Sequence, residues 1–297
     1  MSSPTTPLNS PLPDRPSDTA FAHQAILDAR KAVMGYELFD RSVAADRHTA
    51  ASDAQMLFNV LSSVEGESPL GDKTLFINCT HDSLAGGHLD LIAPERVVLE
   101  IPPLPVSDVD QILTRLPALH EIKRRGFRLA LDYSALTQPY APWLALASYL
   151  KLDLSVIRPQ SVGSFIKLAQ AKCSAELIAE KVETPTQYEQ VSGLGVKLFQ
   201  GYWFAKPVLV QGQTVRPAQA IILQLINLVR KQASTTEIEE LLKRDPTLSF
   251  NLLRFINSAG FGMRSEVTSF KHAVMLLGLN RLFKWAALLL TTSRSGD

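Results

Sequence analysis

The chain has 297 residues, enough for one large domain or two ordinary ones, and its 46% hydrophobic content can fill a packed core. Its 30 basic and 29 acidic residues leave a net charge of +1, which gives no electrostatic basis for binding nucleic acid or an anionic membrane. Two cysteines build no disulfide framework, no basic-then-apolar leader opens the chain, and the longest apolar run, Trp285–Leu290, is far below the roughly 20 residues of a membrane helix, so a soluble, cytoplasmic protein with reduced thiols is expected.

Residues 1–18 hold five prolines among Ser, Thr and Asp and read as disordered. Eight strand candidates follow, at about 22–27, 32–39, 74–80, 96–101, 127–133, 149–157, 175–182 and 196–204. Only Asp28 to Lys31 separate the first two, too few for a parallel crossover, so that pair must be an antiparallel hairpin. The later gaps can each hold a helix. Ala50–Val64 carries apolar residues at helical spacing, Ser107 and Asp108 start the next helix, and Gly126 stops it. The fold class is α/β: a TIM-like barrel of eight strands, the first of them antiparallel.

Period-two alternation sorts the side chains. In FRLALDY, Arg128, Ala130 and Asp132 share one face while Phe127, Leu129 and Leu131 share the other. In YLKLDLSVI, Leu150, Leu152 and Leu154 oppose Lys151 and Asp153. No strand pattern is read after Pro207. Residues 208–297 are expected to be an all-helical second unit, with a helix over 217–233, a capping box at Thr236 and Glu239, a helix started by Asp245 and Pro246, a turn at Ser258–Gly262, and a final pair of helices over 269–277 and 279–290.

Seven polar residues fall at or near the downstream ends of the apolar runs: Glu37, Asn78, Glu100, Asp132, Lys151, Glu180 and Gln200. Strand C-termini are where a parallel barrel keeps its chemistry. Glu37, Asn78, Glu100 and Asp132 make a hard oxygen set suited to Mg²⁺ or Mn²⁺. Glu180 suits a general base for water, and Lys151 suits a developing phosphoryl charge. Each residue alone is more often structural than catalytic; seven in frame are harder to dismiss. The pattern predicts metal-assisted phosphodiester hydrolysis.

These segments resemble the EAL domains, the cyclic di-GMP phosphodiesterases of bacteria. GYELFDR resembles the naming signature, HQAI its QPI strand with Ala25 for proline, FINCT its VNLS, LEIPP its LEITE, ALDYSAL its ALDDFGTG, LIAEKVET its IAEGVET and FQGYWFAKP its FQGYYFGKP. The likeness covers about residues 20–207. It implies Glu37, Asn78, Glu100 and Asp132 as metal ligands, Glu180 and Lys151 as catalytic residues, and Gln24, Arg41 and Gln200 as ligand-binding residues. The departures are Tyr133 for the second aspartate, which in active members holds both metals, Ser134–Thr137 for the FGTG loop, Pro103 for the last glutamate of LEITE and Lys181 for a glycine. A tyrosine, with its pKa of about 10, is a poor Mg²⁺ ligand. A two-metal mechanism needs a bridging ligand; without it, one ion at most is expected and hydrolysis is expected to be lost or nearly lost.

Residues 245–285 resemble the HDOD domain, a helical module related to HD hydrolases without their His-Asp metal pair, here shortened. The pairing implies a signalling protein that binds other signalling proteins through the helical part, and cyclic di-GMP at a degenerate barrel; the alternative is a residual phosphodiesterase cutting cyclic di-GMP to pGpG. His81-Asp82 reads as a surface loop, His272 as a packed or solvent-facing histidine, Lys123–Arg125 as a solvated helix end, and Trp203 and Phe204 as core or domain-interface residues.

Overall fold

The computed structural model describes residues 17–40, 73–85, 87–92, 94–104, 109–214, 219–257 and 267–292. The apolar runs form β1 (Ser17–Asp28), β2 (Val33–Asp40), β3 (Thr74–Asn78), β4 (Val97–Ile101), β5 (Arg128–Asp132), β6 (Tyr149–Asp153), β7 (Glu176–Glu180) and β8 (Leu198–Phe199). From β2 to β8 the strands pair in parallel and in chain order. The first strand runs antiparallel between β8 and β2 and closes the cylinder. The short link behind this reversal is built as a tight turn: the Asp28 carboxylate accepts from the backbone N–H of Arg30 and Ala32 at 2.8 and 2.9 Å, and Lys31 takes φ 62°.

Helices α1 (Val109–Arg124), α2 (Ala141–Leu144), α3 (Val162–Lys172) and α4 (Pro185–Gly193) fill the later crossovers. Gly126, at φ 95°, ends the turn after α1 as its position predicts. The helix expected over Ala50–Val64, the Ser107–Asp108 start signal, Arg41, the turn at Ser258–Gly262 and the proline-rich residues 1–16 lie outside the described residues.

Alternation places the side chains in layers. Ile26, Phe76, Val98, Ala130, Tyr149, Ile178 and Leu198 meet in one small apolar cluster inside the cylinder. Leu129, Leu131, Leu150, Leu152 and Leu154 belong instead to the larger cluster under the helices. The residue two places further along each parallel strand faces inward again, one layer higher. Those positions are Asn78, Glu100, Asp132, Lys151, Glu180 and Gln200; in the reversed β1 the equivalent step runs backward to Gln24. The strand register confirms the level, pairing Gln24 with Glu37, Asn78 with Glu100 and Asp132 with Lys151.

The sheet continues past Pro207, contrary to the sequence expectation. A ninth strand, β9 (Val208–Thr214), pairs antiparallel with the first half of β1, from Ser17↔Thr214 to His23↔Val208. Its VLVQGQT sequence is short and interrupted by Gly212, and its partner lies nearly two hundred residues away in the chain, so local patterning conceals it.

The helical unit holds α5 (Gln219–Arg230), α6 (Thr235–Lys243), α7 (Pro246–Asn257) and α8 (Phe270–Thr292). Its capping box lies two residues before the expected one: Ser234 and Glu237 exchange the reciprocal bonds, because Ser234 is the residue in extended conformation (φ −63°, ψ 156°). Asp245 caps α7 by accepting from Leu248 N–H at 3.0 Å. The Asn257 side chain donates to Val267 O at 2.8 Å and accepts from Val267 N–H at 2.7 Å, tying the end of α7 to the segment before α8. Gly278, at φ 72° and ψ 161°, breaks α8 where the sequence places a boundary between two helices. Phe270–Leu290 is long and apolar enough by composition to cross a membrane, a length the six-residue run had not suggested. Its Leu282, Trp285 and Ala286 are fully buried, so the segment serves as the core helix of this unit.

Among the described residues, one carboxylate makes a polar link between the two parts. Asp90, in the short 3₁₀ turn Gly87–Leu91 between β3 and β4, accepts from Arg125 at the end of α1 at 2.5 Å and from Lys284 of α8. Leu89 and Leu91 beside it share one apolar cluster with Leu282, Trp285 and Leu289.

At the top of β8 a side chain is excluded by the backbone itself. A Cβ on Gly201 would stand 2.1 Å from Val182 O and 2.3 Å from Val182 N. Gly201→Ala is therefore expected to cost about 1–3 kcal/mol, read as a lower denaturant midpoint at unchanged slope.

Candidate functional site

The eight inward positions form one mouth. Gln24, Glu37, Asn78, Glu100, Asp132, Lys151, Glu180 and Gln200 all line a cavity of about 860 Å³ at the C-terminal end of the parallel strands. The seven residues singled out from strand ends are thus gathered, and Gln24 joins them. Arg41 cannot be placed. Asp153, Lys181, Glu183 and Tyr202 also line the cavity and were not among the expected site residues. Asp153 was legible as a partner of Lys151 on the same strand face; Lys181 and Tyr202 follow strand ends, where period two no longer applies.

Lys151 holds the centre. Its Nζ lies 2.6 Å from Glu100 Oε2, 2.8 Å from Glu180 Oε1 and 3.1 Å from Glu37 Oε2. Gln200 Nε2 donates to Glu37 Oε2 at 2.6 Å and to Gln24 Oε1 at 3.2 Å, and Gln24 Nε2 donates to Ala205 O at 3.0 Å. Glu37, Glu100, Lys151, Gln24 and Gln200 are all buried. Removing charges from water is costly unless they are paired and hydrogen-bonded. Burial works against the Lys151 ammonium, but Glu100, Glu37 and Glu180 outweigh it and hold its pKa well above the ordinary value. The carboxylates are in excess. Burial, followed by repulsion from Glu37, pushes Glu100 up to about 8 against the pull of Lys151. Burial also raises Glu180, with Lys151 opposing.

Asp132 is used differently. Its Oδ1 accepts from Ser134 N–H at 2.7 Å and from the Ser134 hydroxyl, capping the 3₁₀ turn Tyr133–Leu136. Tyr133 is not where the sequence reading put it. It does not line the cavity; its ring lies edge-on to Phe165 of α3 at 6.2 Å, against the core under the helices. The chain turns away immediately after β5, and position 133 leaves the mouth with it. The mouth has neither a second aspartate nor a phenol at that point.

The oxygens of Glu37, Asn78, Glu100 and Asp132 are chemically suited to one hard cation. Glu100 Oε1 is buried without a hydrogen-bond partner, an acceptor such an ion would satisfy. As the side chains stand, no group of three or more His, Cys, Asp or Glu residues among those described is arranged to hold a metal ion, because Lys151 Nζ takes the point on which three carboxylates converge. Glu37, Asn78, Glu100 and Asp132 would be the residues to hold one ion, and position 133 supplies no carboxylate to bridge a second.

Other expectations resolve simply. His81 lies in a turn after β3 with Nε2 2.9 Å from Pro102 O, and His272 is exposed. Trp203 and Phe204 pack with Tyr188 and Phe199 in an aromatic cluster, ring centroids 4.6 to 6.1 Å apart. Neither Cys79 nor Cys173 is in a disulfide; their thiols donate to Thr80 O and Ala169 O.

The raised Glu100 pKa fixes a pH dependence. A carboxyl whose pKa is higher folded than unfolded stabilises below its unfolded value and loses that contribution as pH rises through the folded one. In EDTA-treated protein, Glu100 is expected to lower stability between about pH 4.5 and about 8. Glu100→Gln, a mimic of the protonated form, should flatten the melting temperature over that window; an equally steep decline would show that Glu100 binds no extra proton.

Comparison with known proteins agrees with this geometry. The EAL domain model matches residues 44–207, and the HDOD domain model matches residues 217–295. The EAL match thus begins after β1 and β2 and after Glu37. The cyclic di-GMP phosphodiesterase CdgJ of Vibrio cholerae is 30% identical over 284 residues, covering 92% of this chain and 64% of that protein. The uncharacterized protein YuxH of Bacillus subtilis is 27% identical over 277 residues, covering 90% and 67%. The chain therefore spans about two thirds of the length of these relatives. Among solved structures, BlrP1 of Klebsiella pneumoniae, in a manganese and cyclic di-GMP complex, superposes with a TM-score of 0.50 at 23% identity over 68% of this chain and 58% of that one, a likeness of fold. Barrel topology, the ring at its mouth and the matched spans lead to one assignment: the chain belongs to the EAL-domain family, and an HDOD domain follows its barrel.

Proposed function

We propose that this chain is a bacterial regulatory protein of cyclic di-GMP signalling whose barrel no longer hydrolyses the dinucleotide. The barrel senses a ligand or docks a partner, and the HDOD domain engages other signalling proteins. One observation carries this reading: position 133 offers no ligand to the mouth, since Tyr133 packs on Phe165 while Asp132 is spent on capping Ser134. Phosphodiester hydrolysis with two ions needs a group that bridges them. Without it, the second ion has no anchor and the leaving oxygen loses its stabilisation. On the helical unit, Phe250, Met275 and Leu276 stand exposed, the kind of apolar side chain that protein partners cover.

A second reading, a one-ion phosphodiesterase using Mg²⁺ or Mn²⁺, draws on the buried unpaired Glu100 Oε1 and the retained ring. There Glu37, Asn78, Glu100 and Asp132 would hold the ion, Glu180 would take the proton of water, Lys151 would stabilise phosphoryl charge, and Gln24, Arg41 and Gln200 would orient the ligand.

Steady-state hydrolysis of cyclic di-GMP, with Mg²⁺ and then Mn²⁺, separates the two. The expected result is no turnover above the rate of the Glu37→Ala protein. Turnover that Glu37→Ala abolishes overturns the inactive-barrel reading. Tyr133→Asp alone is expected to restore nothing, because the backbone there directs the side chain away from the mouth; a gain of activity would mean that a carboxylate at position 133 does reach the mouth and bridges a second ion.

A further inference from the structure

We propose that Lys181 is a phosphate-binding residue of the barrel mouth. The inference deepens the reading above and takes from it only the identity of the ligand.

Three observations meet at this residue. The first is conformational. Lys181 takes φ 54°, in the left-handed region that disfavours residues with a side chain. Gly126, Gly195 and Gly278 take positive φ elsewhere, as do Lys31 and Gln232, and glycine would serve here equally well for the backbone. Of the non-glycine residues in this conformation among those described, Lys181 is the one that lines the cavity.

The second concerns free donors. Among the described residues, the lysines that line the cavity are Lys151 and Lys181. Lys151 is buried, and three carboxylates surround its ammonium. Lys181 is 57% exposed at the rim, where Asp153 Oδ2 at 2.8 Å and Ser155 Oγ at 3.4 Å accept from it. An ammonium has three N–H donors, so these two acceptors leave one for a ligand. The Asp153 contact aims the side chain, and the carboxylate is itself held by Ser155 N–H at 2.8 Å and the Ser155 hydroxyl at 2.6 Å.

The third is charge. Glu37, Glu100, Asp132, Asp153, Glu180 and Glu183 all line the same cavity. An anionic phosphodiester entering such a mouth meets repulsion unless a cation stands at the entrance. Lys181 supplies that charge from the rim, on the segment that directly follows Glu180. Tyr202, 58% exposed on the same lining, offers a ring against which a base can stack, which fits a nucleotide better than a bare anion.

Calorimetric titration of the full chain with cyclic di-GMP and, separately, with guanosine monophosphate tests this. Lys181→Gly removes the ammonium and relieves the backbone, so its melting temperature should match that of the wild type. Its affinity for cyclic di-GMP should fall about 10- to 100-fold, the effect of losing one charge-assisted hydrogen bond. Lys181→Arg, which keeps the charge, should recover most of that loss. Equal affinity of wild type and Lys181→Gly overturns the inference and leaves the proposed function standing. If wild type binds no cyclic di-GMP, the ligand-sensing form of the proposed function falls and the partner-docking form is left, and the monophosphate decides the role of Lys181: binding that weakens in Lys181→Gly upholds it, and binding that is absent or unchanged overturns it.

Discussion

One ammonium holding three buried carboxylates is the interaction around which the barrel mouth is organised. Strand alternation brings Glu37, Glu100 and Glu180 to the same level whatever their charges, one layer above an apolar plug. Left to themselves they would repel, take up protons or spread the strand ends. Lys151, between β5 and β7 in the sheet, reaches all three within 3.1 Å. Gln200 and Gln24 extend the network to the strand that closes the cylinder. The mouth is thus a charged cluster that neutralises part of itself through one central ammonium.

Much of this was written in the order of residues. The strands showed because barrel strands carry two demands at once, aliphatic toward the helices and polar toward the mouth, and FRLALDY and YLKLD meet both. The antiparallel start was forced by a link too short for a crossover. What local patterning could not supply was anything depending on distant pairing. The β9 strand exists because β1 extends beyond the cylinder and needs a partner there, a fact absent from VLVQGQT. The direction of Tyr133 depends on where β5 stops and a 3₁₀ turn begins, which Asp132 and Ser134 settle between them. The capping box slipped by two residues because Ser234, Thr235 and Thr236 offer the same chemistry and only backbone conformation chooses among them.

The site residues divide in the same way. Those on strands were legible by frame. Lys181 and Tyr202 belong to the loops above the strands, where no period links sequence to direction, and they enter the mouth through turns such as the left-handed one at Lys181. Lys181 is also a position where the chain departs from the pattern of its family, whereas Tyr202 keeps it. The geometry of the barrel and the individuality of its rim are encoded by different means.

The Asp90 junction bears on how the two parts can be handled. The turn that carries it lies between β3, which ends at Asn78, and β4, whose Glu100 lines the mouth, so the connection that meets the helical unit also joins two strands of the ring. A barrel produced without its helices would leave Arg125 as the surviving partner of Asp90 and would strip the cover from Leu89 and Leu91. Assays on such a fragment would report on a loosened loop as much as on the acids beside it, and the intact chain is the proper object for measuring either half.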